Sequence, residues 1–139
     1  MKMHLAMLMA ALSAIGGVAQ ADVVTDWNNT LLQAVRTGST NPPVASRTMA
    51  MVHTAVYDAV NSIDRTHQPY HISLNVPGTT SREAAAAQAA RDVLAHVYPA
   101  QVATFDAALT THLNAIPNSA DKTAGISLGS SVAASIIAL

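Results

Sequence analysis

The chain has 139 residues, 50% of them hydrophobic, 4% aromatic and none of them cysteine. Seven basic against eight acidic side chains leave a formal net charge of −1, which excludes the electrostatic footprint of a nucleic-acid or anionic-membrane binder. Without cysteine there is no disulfide, no thiolate nucleophile and no thiolate metal ligand, so stability must come from packed apolar faces.

Residues 1–21 have the layout of a secretory signal peptide. Lys2 supplies a basic start, Leu5 to Val18 is an apolar run, and Ala19-Gln20-Ala21 offers the small residues that a signal peptidase reads. Cleavage is expected before Asp22. The apolar run is short for a bilayer span and ends in two glycines, so no stable membrane insertion is expected. The protein is expected to be exported, to a periplasm or beyond. The remaining part, 22–139, keeps six basic and eight acidic residues and is one domain at most. Its apolar side chains are mostly small. They let helices approach closely but bury little area each, so a piece of this size is expected to be marginal alone.

Asp22 to Thr37 reads as a helix, with Trp27, Leu31, Leu32 and Val35 on a rough apolar stripe and Thr25 or Asp26 as its cap. Gly38-Ser39-Thr40-Asn41-Pro42 ends it. Asn28-Asn29-Thr30 matches a glycosylation sequon, a triplet that chance supplies often, and it lies within this predicted helix.

Pro43 to Asp64 is the longest amphipathic segment, and the rest of the chain is expected to be arranged around it. At about 100° per residue, Ala45, Met49, Val52, Val56, Ala59 and Ile63 form one stripe. Arg47, Thr54, Asp58, Asn61 and Arg65 fall opposite. His53 and Tyr57 flank the stripe one turn apart, placed to bury ring surface while a polar tip stays bonded. Arg65 to Thr79 follows as a long connection with Pro69, Pro77 and Gly78. Its alternating Tyr70, Ile72, Leu74 and Val76 could be extended, but no partner strand is in sight. It reads as an ordered loop lying across the helices.

Thr80 and Glu83 have capping-box spacing and open a helix to Tyr98 whose Ala86, Ala90, Val93 and Val97 share a face. Tyr98-Pro99 breaks it, and Pro99 can open the next, where Val102, Phe105, Leu109, Leu113 and Ile116 make a strong stripe. Pro117-Asn118-Ser119 stops that helix, and Asn118 or Ser119 caps a last one with Leu128, Val132, Ile136 and Leu139 on one side. Gly125 and Gly129, four apart, read as a close crossing of soluble helices rather than a membrane dimer face. The sequence ends on Ile136-Ile137-Ala138-Leu139 with no polar tail, which reads as a domain cut short.

No catalytic set assembles along the chain. His67 and His71 are four apart, but Pro69 between them breaks the helical geometry that would let them share a metal. His96 and His112 read as surface or helix-edge residues without a paired carboxylate at a telling spacing. Asp58, Glu83, Asp92 and Asp106 read as acids on solvated helix faces. No phosphate loop, nucleophile elbow or HExxH motif occurs.

A wider pattern does emerge. Asp26-Trp27-Asn28 opens the first helix, and Pro-Pro-Val-Ala-Ser-Arg runs into Met51-Val52-His53-Thr54-Ala55-Val56-Tyr57-Asp58-Ala59-Val60-Asn61. Ala89-Ala90-Arg91-Asp92-Val93-Leu94, Tyr98-Pro99, Phe105-Asp106, Gly125 and Gly129 follow. Across nearly the whole of 22–139 this resembles the N-terminal helical region of bacterial vanadium-dependent haloperoxidase-like proteins, of the type 2 phosphatidic acid phosphatase superfamily. The resemblance implies an all-α fold, an antiparallel bundle of about five helices after the signal peptide, forming an incomplete domain. It implies vanadate or phosphate as the cofactor of a full-length relative, held by Lys and Arg donors, a Pro-Ser-Gly-His turn and a later Ser-Arg segment ending in His. Several donors around a multiply charged oxyanion, with a His in line with the reacting oxygen, is the chemistry such a set performs.

The Pro-Ser-Gly-His turn and the Lys with its following Arg-Pro are missing here. Ser46-Arg47 followed by His53 matches part of the third motif, yet Arg47 and His53 point about 120° apart on a helix and would not converge on one small anion. No catalytic, cofactor-binding or metal residue is therefore assigned, and no cofactor is expected in this chain. The expected function is a scaffolding front portion of an exported haloperoxidase-like enzyme, inactive alone, whose partners are C-terminal catalytic helices of the same protein. The competing expectation is a self-sufficient periplasmic helical module that binds a protein through an apolar groove.

Overall fold

The computed structural model describes residues 22–139, so the expected signal peptide lies outside the described residues. Five helices follow in order: α1 (Val23–Thr37), α2 (Pro42–Asp64), α3 (Arg82–Val97), α4 (Val102–Ala115) and α5 (Ala120–Ile137), with one 3₁₀ turn over Pro99–Gln101. Among the described residues there is no strand, and residues 65–81 are loop, as their sequence implied. The all-α bundle is thus the observed fold class. No described helix is long and apolar enough to cross a membrane.

Each helix start has an identifiable cause. Asp22 caps α1 by accepting from the Val24 amide at 3.2 Å. The expected caps were Thr25 or Asp26, but the helix begins earlier, and Asp26 lies in its first turn, where a carboxylate suits the positive helix end. Asn41 caps α2 through the Val44 amide, with Pro42 in the first turn, where no amide is needed. Ser119 caps α5 through the Lys122 amide, one of the two residues expected there. The α3 cap is Ser81, whose Oγ accepts from the Ala84 amide, not the expected Thr80. Thr80 is buried instead, and its hydroxyl has no partner among the described residues.

The centre of the molecule is α3, and not α2 as its length and amphipathic pattern suggested. α3 packs against all four other helices, most extensively α5 and α2. The physical reason lies in its side chains. Ala84, Ala85, Ala86, Ala87, Ala89 and Ala90 are all buried, together with Val93 and Leu94. The buried alanines from Ala84 to Ala90 point all round the helix rather than along one stripe and keep the neighbouring axes close, while Arg82, Glu83 and His96 near the ends of α3 stay exposed. A single face of Ala86, Ala90, Val93 and Val97 understates it. α2, by contrast, leaves one flank to solvent. Trp27, Leu31 and Ala34 of α1, Val52, Ala55 and Ala59 of α2, and Phe105 of α4 complete the core around α3.

The α3–α5 seam is the tightest part. A Cβ added to Gly125 would stand 2.5 Å from the Ser81 carbonyl oxygen, and one added to Gly129 would stand closer still to that of Ala85. Glycine is required at both positions because α5 rests on the α3 backbone itself. The close crossing of soluble helices expected from Gly125 and Gly129 is what forms. Leu128, Val132 and Ile136 are buried beside it, whereas Leu139 lies beyond the end of α5 and is 68% exposed, against expectation.

α4 is covered less than its sequence predicts. Of the stripe Val102, Phe105, Leu109, Leu113 and Ile116, only Phe105 is fully buried and the rest are half-buried. Each methylene left in water forgoes about 0.8 kcal/mol of burial. At the far end of the bundle, the Thr40 hydroxyl donates to Tyr98 Oη and Gln101 Nε2 donates to the Ala34 carbonyl, joining the end of α1 to the end of α3.

Candidate functional site

The most organised polar region lies where α2 meets the loop after it. Asp58, Asn61, Ser62 and Arg65 recur at i, i+3, i+4 and i+7, so they form one stripe on the helix. Every member holds the loop. Asp58 is 0% exposed, and its carboxylate accepts three successive main-chain amides: Tyr70 at 2.7 Å, His71 at 2.9 Å and Ile72 at 3.0 Å. Asn61 clasps His67 in both directions, donating to its carbonyl at 2.8 Å and accepting from its amide at 3.1 Å. The Ser62 hydroxyl accepts from the Leu74 amide and donates to the Asp58 carbonyl. Arg65, in the left-handed region at φ 52°, ends the helix and donates to Asn75 Oδ1 and the Val76 carbonyl. Tyr57 Oη adds a bond to the Gln68 carbonyl at 2.8 Å.

This corrects the expectation that Asp58 is an acid on a solvated helix face: Asp58 and Asn61 are buried beneath the loop, while Arg65 at the helix end is exposed. The stripe opposite the apolar core faces another part of the chain. No Lys, Arg or His among the described residues pairs with Asp58. Its charge is met by amide dipoles alone, and such charge-assisted bonds contribute about 1.5–3 kcal/mol each, which offsets the cost of burying a carboxylate. Sequence reasoning missed this role. The signal was present in the polar i, i+3, i+4, i+7 spacing beside a long loop that needed backbone partners.

Above the clasp, a groove of about 620 Å³ opens between α2 and the loop. Met49, His53, Thr54 and Tyr57 line it from α2, and Pro69 and Tyr70 from the loop. His53 and Tyr57 do keep their polar tips bonded, His53 Nε2 lying 3.2 Å from Asn28 Oδ1. Their rings are less buried than expected, Tyr57 being 41% exposed, and Tyr70 at the loop crest is 72% exposed. Arg47 and His53 are both exposed, and Arg47 takes part in no ion pair among the described residues.

A second cleft, about 690 Å³, lies between the start of α1, the start of α3 and the end of α4, with Asp22, Asp26, Arg82, Glu83 and His112 at its walls. His112, expected at the surface or a helix edge, is half-buried. Its ring stacks on Trp27 at 5.9 Å and 29°, with Nε2 3.9 Å from Asp26. The Trp27 indole N–H beneath is buried without a partner among the described residues.

The remaining sequence candidates do not converge. His96 is exposed, as expected. Asp92 and Asp106 both bond Arg91, and these bonds, that to Asp92 foremost, raise its pKa above the ordinary guanidinium value. The hydrogen bond that Arg82 donates to the Asp64 carboxylate does the same for Arg82. Among the described residues no group of three or more His, Asp or Glu side chains could hold a metal ion. Among the described residues the one hydroxyl–histidine contact, Thr66 Oγ1 to His67 Nδ1 at 2.8 Å, joins adjacent exposed residues, and no third group there orients the ring. Chemically, the α2 groove can hold an apolar group beside polar ones. No known family model, curated protein or solved structure matches the chain.

Proposed function

We propose that this chain is the scaffolding N-terminal helical portion of an exported enzyme of the vanadium-dependent haloperoxidase-like kind, and that catalytic helices of the same protein complete it. The sequence pattern from Trp27 to Gly129 supports the family reading, and a single structural observation supports the scaffold role. α4 carries a strong apolar stripe of which only Phe105 is fully covered, while Val102, Leu109, Leu113 and Ile116 remain half-exposed. An amphipathic helix with its face half-covered is suited to receive further helices. Vanadate or phosphate would then be held by those later helices.

The experiment is direct. The purified chain should neither oxidise bromide with peroxide nor cleave a phosphomonoester, and vanadate should leave its thermal midpoint unchanged, since a ligand stabilises only what it binds. Turnover by the chain alone, abolished when His53 is replaced, would overturn the reading. The competing reading, a stand-alone periplasmic protein-binding module, is favoured by the open groove on α2. The frame downstream of Leu139 separates the two: the scaffold needs the Lys, Arg and His motifs to follow.

A further inference from the structure

The uncovered flank of α2 differs from the rest of the surface in charge as well as shape. From Trp27 to Arg82 the sequence holds four arginines and only two carboxylates. Neither carboxylate is free: Asp58 is buried against the loop amides and Asp64 pairs with Arg82. The rest of the described chain reverses the balance, with six carboxylates against Arg91 and Lys122. Arg47 lies one helical turn before Ala50, which lines the groove, and is exposed. His53 lines the groove, and His67 and His71 are exposed on the loop beside it. No carboxylate lines the groove, and Arg47 and three histidines stand beside it, whereas Arg82 pairs with Asp64 at the second cleft and Arg65 is held by Asn75 and Val76.

The groove's two tyrosines stand on fixed supports, Tyr57 through its hydroxyl and Tyr70 through its main chain. Three of the five large hydrophobic residues exposed in the described chain, Val44, Tyr57 and Tyr70, belong to α2 and its loop. Tyr70 is the most exposed of all, yet its amide is fixed by Asp58 and the preceding turn by Tyr57 and Asn61. With its backbone already fixed, Tyr70 has only its side chain to order on binding, and tyrosine is among the residues that dominate interface energetics.

We propose that the α2–loop groove is a docking surface for an acidic segment of another protein, one that seats an aromatic or leucine side chain between Tyr57 and Tyr70 and sets flanking carboxylates against Arg47 and the histidines. Arg47, in no ion pair among the described residues and one turn from a groove lined by no carboxylate, selects a partner of negative charge, since opposite potentials across an interface fix register and speed encounter. This inference stands apart from the scaffold reading, because it uses only side chains of this chain.

The test is selection from a random peptide display library on the purified chain, followed by synthesis of the enriched peptides. The selected peptides should carry Asp or Glu around one aromatic or leucine anchor. Their binding should weaken with added salt and fall at least tenfold in both Tyr70→Ser and Arg47→Glu. Ala107→Ser, on the far helix α4, should change nothing. Unchanged fluorescence from buried Trp27 checks that each variant is folded. The proposal is overturned if no peptide is enriched, if the enriched anchors lack acidic neighbours, or if binding survives Tyr70→Ser. It is equally overturned if sedimentation shows a dimer that Tyr70→Ser dissolves, because a second copy would then own the groove.

Discussion

The seam between α3 and α5 and the clasp between α2 and its loop hold the same fold by opposite means. The seam has hardly any polar chemistry: alanines meet glycines, and two helix backbones come as near as atoms allow. The clasp has little close packing of apolar groups and many directed bonds, six of them from Asp58, Asn61 and Ser62 to loop main-chain atoms. The difference teaches where each residue's freedom lies. At the seam a side chain matters by its volume, whereas at the clasp it matters by the number and direction of acceptors it offers.

The largest expected effect falls on the seam. Gly129→Val should destabilise the protein by about 3 kcal/mol, because the new methyls meet α3 backbone that cannot step aside. Denaturant unfolding followed by Trp27, the chain's single tryptophan, reads this directly. Asp58→Asn should cost somewhat less, about 2 kcal/mol, since it exchanges a charged acceptor for a neutral one and turns an NH₂ toward amide donors. Its effect should be local: hydrogen exchange at Tyr70, His71 and Ile72 should speed up well before the α3 amides do. If those amides open together with α3, the clasp and the seam are one cooperative unit and the contrast drawn between them fails.

A smaller pair tests the α3 start, where the two regions meet. Ser81→Ala removes the cap and should cost about 1 kcal/mol. Thr80→Val keeps the shape while removing a buried hydroxyl without a partner, so it should be neutral or stabilising by up to about 1 kcal/mol. A loss of stability in Thr80→Val would return the capping role to Thr80.

The sequence made the helices legible, since proline, glycine and capping residues mark their ends and apolar spacing marks their faces. The Ser119 cap, the glycine crossing and the strandless loop followed from local rules alone. The hub did not. Alanine carries little weight on a hydropathy wheel, so α3 looked like a modest one-faced helix when its smallness was what let four neighbours surround it. Asp58 was misread for a related reason: a wheel sorts residues by polarity, and a polar stripe facing a polar backbone looks the same as one facing water. The groove was foreshadowed by His53 and Tyr57, one turn apart, but their exposure depends on Tyr70 and Pro69, twelve or more residues further on.

Asp58 grips amides and ignores side chains, which has a practical consequence. Tyr70 and His71, both exposed, can in principle be exchanged for any residue that keeps its N–H, which bars proline, while Ile72 is also held by its packing against the core. The crest of this loop is thus a natural graft point, where new recognition residues could be installed without redesigning the helices beneath.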